Sequence, residues 1–227
     1  MLIYGKNVFK ETPNEIINKV YLSNNIKDKD IIKKIPKNKT IILPNYKLDK
    51  MVKGNHQGII LEVDNFKYSD LEEILIKENP FLVMLDHLED PHNFGAIIRS
   101  CEAAGVDGII IAKNRSVEVN NTVMKVSAGA LTRMKIVQVT NLVNTIKKLK
   151  NNNFTIIGTD MEGTDYKKIA YKNKICVIIG NEGKGMSRLV KENLDLTVAI
   201  PMKGKINSLN ASVAAAIVVF EASYNRK

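Results

Sequence analysis

From Phe81 onward the chain alternates continuous apolar runs with helix-length segments, and this pattern constrains the fold more than any other feature of its 227 residues. FLVMLDHL, GIIIA, KIVQV, FTIIGTD, KICVIIG and LTVAIPM read as strands. NFGAIIRSCEAAG, NTVMKVSAGALTRM, NLVNTIKKLKNNN, SRLVKENL and SLNASVAAAIVVFEAS read as helices, the first of them stopping at Gly105. A strand that is apolar at every position, not every second one, must be covered on both faces. Such strands alternating with helices predict an α/β fold built on a parallel sheet.

The preceding residues have a different rhythm. Asn7–Lys10 and Asn14–Lys19 are helix-compatible and separated by Pro13. Strand-like KVYLS, the charged helical stretch DKDIIKKI, strand-like TIILP, a short helix in KLDKMV, and a turn and strand in GNHQGIILEVD follow. These predict a small α/β unit over residues 1–64. Residues 65–80, NFKYSDLEEILIKENP, read as a linker carrying a short amphipathic helix and closed by Pro80, and 81–227 as the larger domain.

Twelve lysines face seven acids in residues 1–64, and the whole chain has a formal net charge of +10 and a pI of about 9.4. That balance points to a polyanionic partner. The absence of Trp argues against a stacking platform for single strands. No apolar run approaches the roughly 18 residues of a membrane span, and MLIYGKNVFKETPNE lacks the pattern of a signal peptide. Cys101 and Cys176 stand far apart within apolar runs, which suggests buried, reduced thiols in a cytoplasmic protein.

Parallel sheets bind ligands beyond the carboxyl ends of their strands. No GxGxxG follows FLVMLDHL, which argues against a dinucleotide site, and GNEGKGMS lacks the GK[ST] ending of a phosphate-binding loop. Three Gly-containing segments do follow strands late in the chain: GTDMEG (158–163), GNEGKG (180–185) and PMKGK (201–205). Together they can line one pocket, because glycine permits close backbone approach. His87, Glu89, Asp90 and His92 are metal-ligand types, but they lack regular spacing and a cysteine partner, so no metal is expected. His56, in the HQGI element, reads as structural or facing the polyanionic partner rather than catalytic.

PHNFGAIIRSCEAAG, IIGNEGKGMS and IPMKGKINSLNASVAAA, in that order, resemble the three motifs of the SpoU-type RNA ribose 2′-O-methyltransferases of the SPOUT superfamily. The N-terminal unit, with YGKN near its start and HQGI near its end, is similar to the small substrate-binding domain of many members, whose fold resembles ribosomal RNA-binding proteins. The resemblance implies a knotted methyltransferase domain with a C-terminal trefoil knot, S-adenosylmethionine as cofactor, a metal-independent reaction and a homodimer packed through the knotted domains. Small side chains at Ala211, Ala214, Ala215 and Ala216 suit segments that pass closely. The two-domain layout most resembles enzymes acting on a guanosine of large-subunit ribosomal RNA. A tRNA ribose methyltransferase, an rRNA methyltransferase conferring antibiotic resistance, and a non-catalytic RNA-binding or ribosome-assembly factor are the alternatives.

Carried over residue by residue, the resemblance makes Arg99 the group that acts on the ribose hydroxyl. An arginine keeps its proton at neutral pH, so it is expected to orient the hydroxyl and stabilise developing alkoxide charge, with the proton acceptor (Arg99 itself, an RNA phosphate or water) left open by the sequence. Asn93 is expected to cap the helix that carries Arg99 and to stand near the site. Glu182 is expected to position Arg99 or the ribose. Ser208 has the chemistry of an N-cap, and Asn210 can offer a donor and an acceptor to ribose or cofactor. Gly180, Ile200 and Leu209 are expected to line the adenosine pocket, with Thr159, Asn181, Gly183 and Met202 as further contacts from the same loops.

Overall fold

The computed structural model describes residues 1–206 and 208–226. Asn207, inside the third motif, lies outside the described residues. A four-stranded sheet forms from β1 (Leu2–Tyr4), β2 (Ile17–Ser23), β3 (Thr40–Leu43) and β4 (Ile59–Val63), in the order β1-β4-β2-β3. β4 runs antiparallel to β1 and β2, while β3 is parallel to β2. Helices α1 (Lys6–Glu11), α2 (Lys29–Lys34) and α3 (Asn45–Met51) complete the unit. Strand β1 was not expected: three residues are too few to display a period, and only pairing with β4 makes them a strand.

The second sheet contains β5 (Phe81–Leu85), β6 (Gly108–Ala112), β7 (Ile136–Val139), β8 (Thr155–Asp165), β9 (Ile175–Ile179) and β10 (Leu196–Ala199). Its order is β10-β8-β9-β5-β6-β7, with every neighbouring pair parallel. The helices are α4 (Pro91–Ala103), α5 (Asn121–Val126), α6 (Leu142–Asn151), α7 (Arg188–Lys191) and α8 (Ala211–Asn225). Val83, Leu85, Ile109, Ile111, Val177 and Ile179 face one core with α4 and α8. Leu82, Met84, Ile110, Cys176 and Ile178 face the other with Leu142, Ile146 and Leu149 of α6. The continuous apolar runs are thus two alternating sets, one for each face.

Four local expectations differ from the structure. The helix-compatible stretch Asn14–Lys19 is only a 3-10 turn over Asn14–Ile16, and Ile17–Lys19 already belong to β2, where pairing with β4 decides their conformation. NTVMKVSAGALTRM is not one helix: α5 ends at Val126, Ala128 and Gly129 take left-handed φ of 49° and 79°, and a 3-10 turn follows over Ala130–Thr132. The helical turn in 65–80 is also a 3-10 segment, Leu71–Ile74, closed by an Asp70/Glu73 capping box. Ser69 bridges Val137, so this stretch lies along the edge of the larger sheet. Finally, GTDMEG does not follow a strand but lies within β8. Gly158 pairs with Thr197 and Thr164 with Val198, so residues 159–163 are accommodated opposite a single step of β10.

At Gly163 an added Cβ would lie 2.4 Å from the carbonyl carbon of Val198. That neighbour is backbone and cannot rotate away. Gly163→Ala should therefore destabilise the fold by about 1–3 kcal/mol, as overpacking does, read as a lower urea midpoint at unchanged slope.

Candidate active site

The sheet order reverses between β5 and β9: from β5 the chain moves outward to β6, and from β9 it moves outward the other way to β10. The loops leaving these adjacent strands open the crevice in which α/β sheets bind ligands. They carry the first two motifs.

Asp86 continues the pairing, its N–H donating to the Ile179 carbonyl at 2.9 Å. His87 then turns the chain with a left-handed φ of 56°. Asp90 caps α4, its side chain accepting from the backbone N–H of His92 (2.6 Å) and of Asn93 (3.2 Å), with Pro91 as the first helical residue. This corrects the expectation that Asn93 is the cap. An acid directly before a proline suits the two positions, since Pro belongs at the first helical residue, where its missing N–H costs nothing.

Released from capping, Asn93 becomes a hub. Its Nδ2 donates to Glu182 Oε1 at 2.7 Å, and its Oδ1 accepts from Asn210 Nδ2 at 2.9 Å. Asn210 in turn caps α8, its Oδ1 accepting from the N–H of Ser212 at 2.9 Å and of Val213 at 3.4 Å. One chain of side-chain hydrogen bonds therefore joins all three motifs. Ser208 is not the cap, because α8 begins at Ala211, and its exposed side chain stands outside the chain of bonds.

The second loop closes on itself. Asn181 and Gly185 exchange backbone hydrogen bonds of 3.0 and 2.9 Å. The Asn181 side chain accepts from the N–H of Gly183 and Lys184 and donates to the His87 carbonyl at 2.8 Å. It is a clamp between the two loops. At Gly180 a Cβ would lie 2.5 Å from the Gly185 carbonyl carbon, so the strand must leave through glycine. Thr159 donates to the Ile178 carbonyl at 3.1 Å, tying β8 to β9. Ile200 packs partly against the core, whereas Met202 and Leu209 are exposed on the connection from β10 to α8.

Arg99 is exposed on α4, six residues beyond Asn93. Three of the other arginines are engaged: Arg133 with Glu102, Arg188 with Glu192, and Arg226 with the carbonyls of Asn79 and Asn173, while Arg115 is exposed like Arg99. A helical side chain leans toward the helix N-terminus, which inclines Arg99 toward the N-terminal half of α4.

One contributor escaped sequence reasoning. Asp86 is only 1% exposed. Its Oδ1 lies 2.5 Å from His87 Nδ1, and its Oδ2 accepts from the Ser187 N–H at 2.6 Å. A buried carboxylate thus fastens the far end of the second loop to the first. The signal was an acid directly after five apolar strand residues, a position where only a well-bonded charge can stand. Among the described residues no group of three or more His, Cys, Asp or Glu is placed to hold a metal. Removing the carboxylate leaves buried donors without an acceptor. Asp86→Ala should cost about 1–3 kcal/mol of stability by denaturant titration, and Asp86→Asn, which keeps an acceptor, should cost less.

Comparison with known proteins agrees with this geometry. Residues 80–220 match the model of the SpoU rRNA Methylase family, and residues 2–69 match that for RNA 2′-O ribose methyltransferase substrate binding. A protein of Staphylococcus saprophyticus named for the TrmH family of tRNA/rRNA methyltransferases is 40% identical over 97% of this chain and 94% of its own length. The SpoU methyltransferase AviRb from Streptomyces viridochromogenes, crystallised with AdoMet, superposes with a TM-score of 0.82 at 23% identity, over 99% of this chain and 89% of that one. At that identity it establishes the fold. The TrmH/SpoU tRNA modifying enzyme of A. aeolicus reaches a TM-score of 0.60 at 31% identity, over 68% of this chain and 80% of that one. With the motifs in order and tied to one another in space, the chain belongs to the SpoU family of RNA methylases.

Proposed function

We propose that this protein uses S-adenosylmethionine to methylate a ribose 2′-hydroxyl in structured RNA, with a guanosine of large-subunit ribosomal RNA as its target. The observation that carries the reading is the Asn93–Glu182 and Asn93–Asn210 hydrogen-bonded chain, which joins the three motifs at the start of the helix that carries the exposed Arg99. The N-terminal unit supports an RNA substrate through its lysine excess. The two-domain layout favours ribosomal RNA, since the match to the rRNA methyltransferase of Sinorhizobium meliloti extends over 98% of this chain and that to the A. aeolicus tRNA modifying enzyme over 68%.

The residues present fit the cofactor. Gly180 leaves no room for a side chain at the strand end, and half-buried Ile200 with exposed Leu209 and Met202 offer apolar surface for an adenine ring. Thr159, Asn181 and Gly183 shape the adjoining loops. When bound, S-adenosylmethionine supplies an electrophilic methyl carbon. The chain's own task is to align the ribose oxygen and manage charge. Arg99 donates hydrogen bonds to that oxygen and stabilises it as its proton leaves to an RNA phosphate or water. Asn93 holds Glu182, whose second carboxylate oxygen remains available to orient Arg99 or the ribose. Ser208 joins the rim of the site.

The same reading divides the chain into a substrate RNA-binding domain (1–64), a linker (65–80) and a catalytic domain (81–227) with a C-terminal trefoil knot. The residues of β8 accommodated opposite one step of β10, and the backbone crowding at Gly163 and Gly180, support the knot. A homodimer is supported by α8, which is apolar around its circumference: Val213, Phe220 and Tyr224, 82% exposed, form an outward stripe. Burial raises the pKa of both thiols, which suits a reducing cytoplasm.

Arg99→Lys should lower methyl transfer by about 100-fold or more, the usual loss for a preorganised donor, while calorimetry shows S-adenosylmethionine affinity within about twofold of wild type. Near-wild-type turnover in that variant rules out the two-point donor. Tyr224→Glu together with Phe220→Glu should convert a dimer to a monomer in sedimentation; an unchanged mass removes α8 from the interface.

A further inference from the structure

A second pocket, of about 490 Å³ and open to solvent, lies in the N-terminal unit, where the loops after β2 and before β4 meet the start of α3. Its size is that of a small-ligand site. Its construction resembles a binding site more than a surface irregularity.

His56 forms a buried support. Its Nδ1 accepts from the Gly58 N–H at 3.0 Å, so the ring proton is on Nε2 and is donated to Asp49 Oδ1 at 2.9 Å. This fixes the direction of the Asp49 carboxylate, whose side chain is 67% exposed. The loop between them is held in an unusual backbone: Gln57 takes a left-handed φ of 53°, a conformation that costs a non-glycine residue energy and gathers at ligand clamps. Gln57 Oε1 accepts from the Lys6 N–H at 2.9 Å, and Asn55 Oδ1 from the Gln57 N–H at 3.1 Å. Both amides are thereby oriented with their NH₂ groups left to donate. Asn25 and Asn45 add two further exposed amides to the lining.

The charges select the ligand. Lys27 and Lys6 stand in the lining, Lys6 beside Asp28 at 3.1 Å. A phosphate alone would meet the Asp49 carboxylate and be repelled. A nucleobase would not, if it presents N–H donors to that carboxylate and an acceptor to the amides. Guanine does both on one edge, with adjacent N1–H and N2–H donors beside O6, and unpaired bases in RNA are read along such edges.

Resting on the reading of the chain as an RNA methyltransferase, we propose that this pocket receives one unpaired guanosine of the substrate RNA, with Asp49 and the surrounding amides reading its base and Lys27 its backbone. The N-terminal unit then selects a site on the RNA as well as adding sequence-blind affinity.

The test turns on the sign of one substitution. Asp49→Asn removes a negative charge facing a polyanion but keeps an acceptor for His56. Simple electrostatics requires it to bind RNA more tightly. The pocket requires it to bind about tenfold more weakly, the loss of one base contact. Filter binding of the full-length protein to large-subunit ribosomal RNA from cells lacking this gene decides between them, with exposed Asp30→Asn as the charge control. Asn25→Ala with Asn45→Ala should weaken binding similarly at unchanged salt slope, whereas Lys27→Ala should lower the slope by about 1. Equal or tighter binding by Asp49→Asn, or binding of the double variant within twofold of wild type, overturns the pocket. Failure of the wild type itself to bind and methylate this RNA would instead overturn the function proposed above.

Discussion

Burial of both faces of the larger sheet is the constraint on which the rest of the molecule depends. Every residue of β5, β6 and β9 is buried. Each large apolar side chain so placed contributes roughly 1.5–3 kcal/mol relative to exposure. Two cores are needed to collect that stabilisation, and they fix the helices: α4 and α8 on one face, α6 on the other. With the walls so placed, the carboxyl ends of β5 and β9 can release loops only into the crevice between the diverging halves of the sheet.

That crevice has its own internal logic. Its polar residues are bonded mostly to one another, and four of the bonds cross between segments distant in sequence. Asp86 reaches Ser187, Asn181 reaches His87, and Asn93 reaches both Glu182 and Asn210. Such a network fixes the loops relative to one another, which is what preorganised chemistry requires. Arg99 stands apart from it, on a helix anchored at its start by Asp90 and packed along its length by Phe94, Ile97, Ile98 and Cys101.

The N-terminal unit follows the same plan on a smaller scale. Its parallel pair β2 and β3 ends in loops that surround a polar pocket, and a buried histidine replaces the buried aspartate as the fastening. Met124 of α5 packs against the cores of both units, so the substrate-binding part and the catalytic part share an apolar contact.

The sequence by itself determined the class of fold, the strands of the larger sheet and the identity of the motifs, because two-face burial imposes continuous apolar runs that can be read without coordinates. It also singled out Asn93, Glu182 and Asn210, which the fold joins by hydrogen bonds. It did not show β1, whose pairing with β4 spans nearly sixty residues. Nor did it show the break after Val126, where left-handed backbone at Ala128 and Gly129 overrides helix-compatible side chains. It misplaced both caps: Asn93 and Ser208 have capping chemistry, yet Asp90 and Asn210 hold the positions. Only the tertiary structure decided which asparagine caps a helix and which one ties the motifs together. The two roles use the same amide, and what separates them is the partner that folding brings within hydrogen-bond reach.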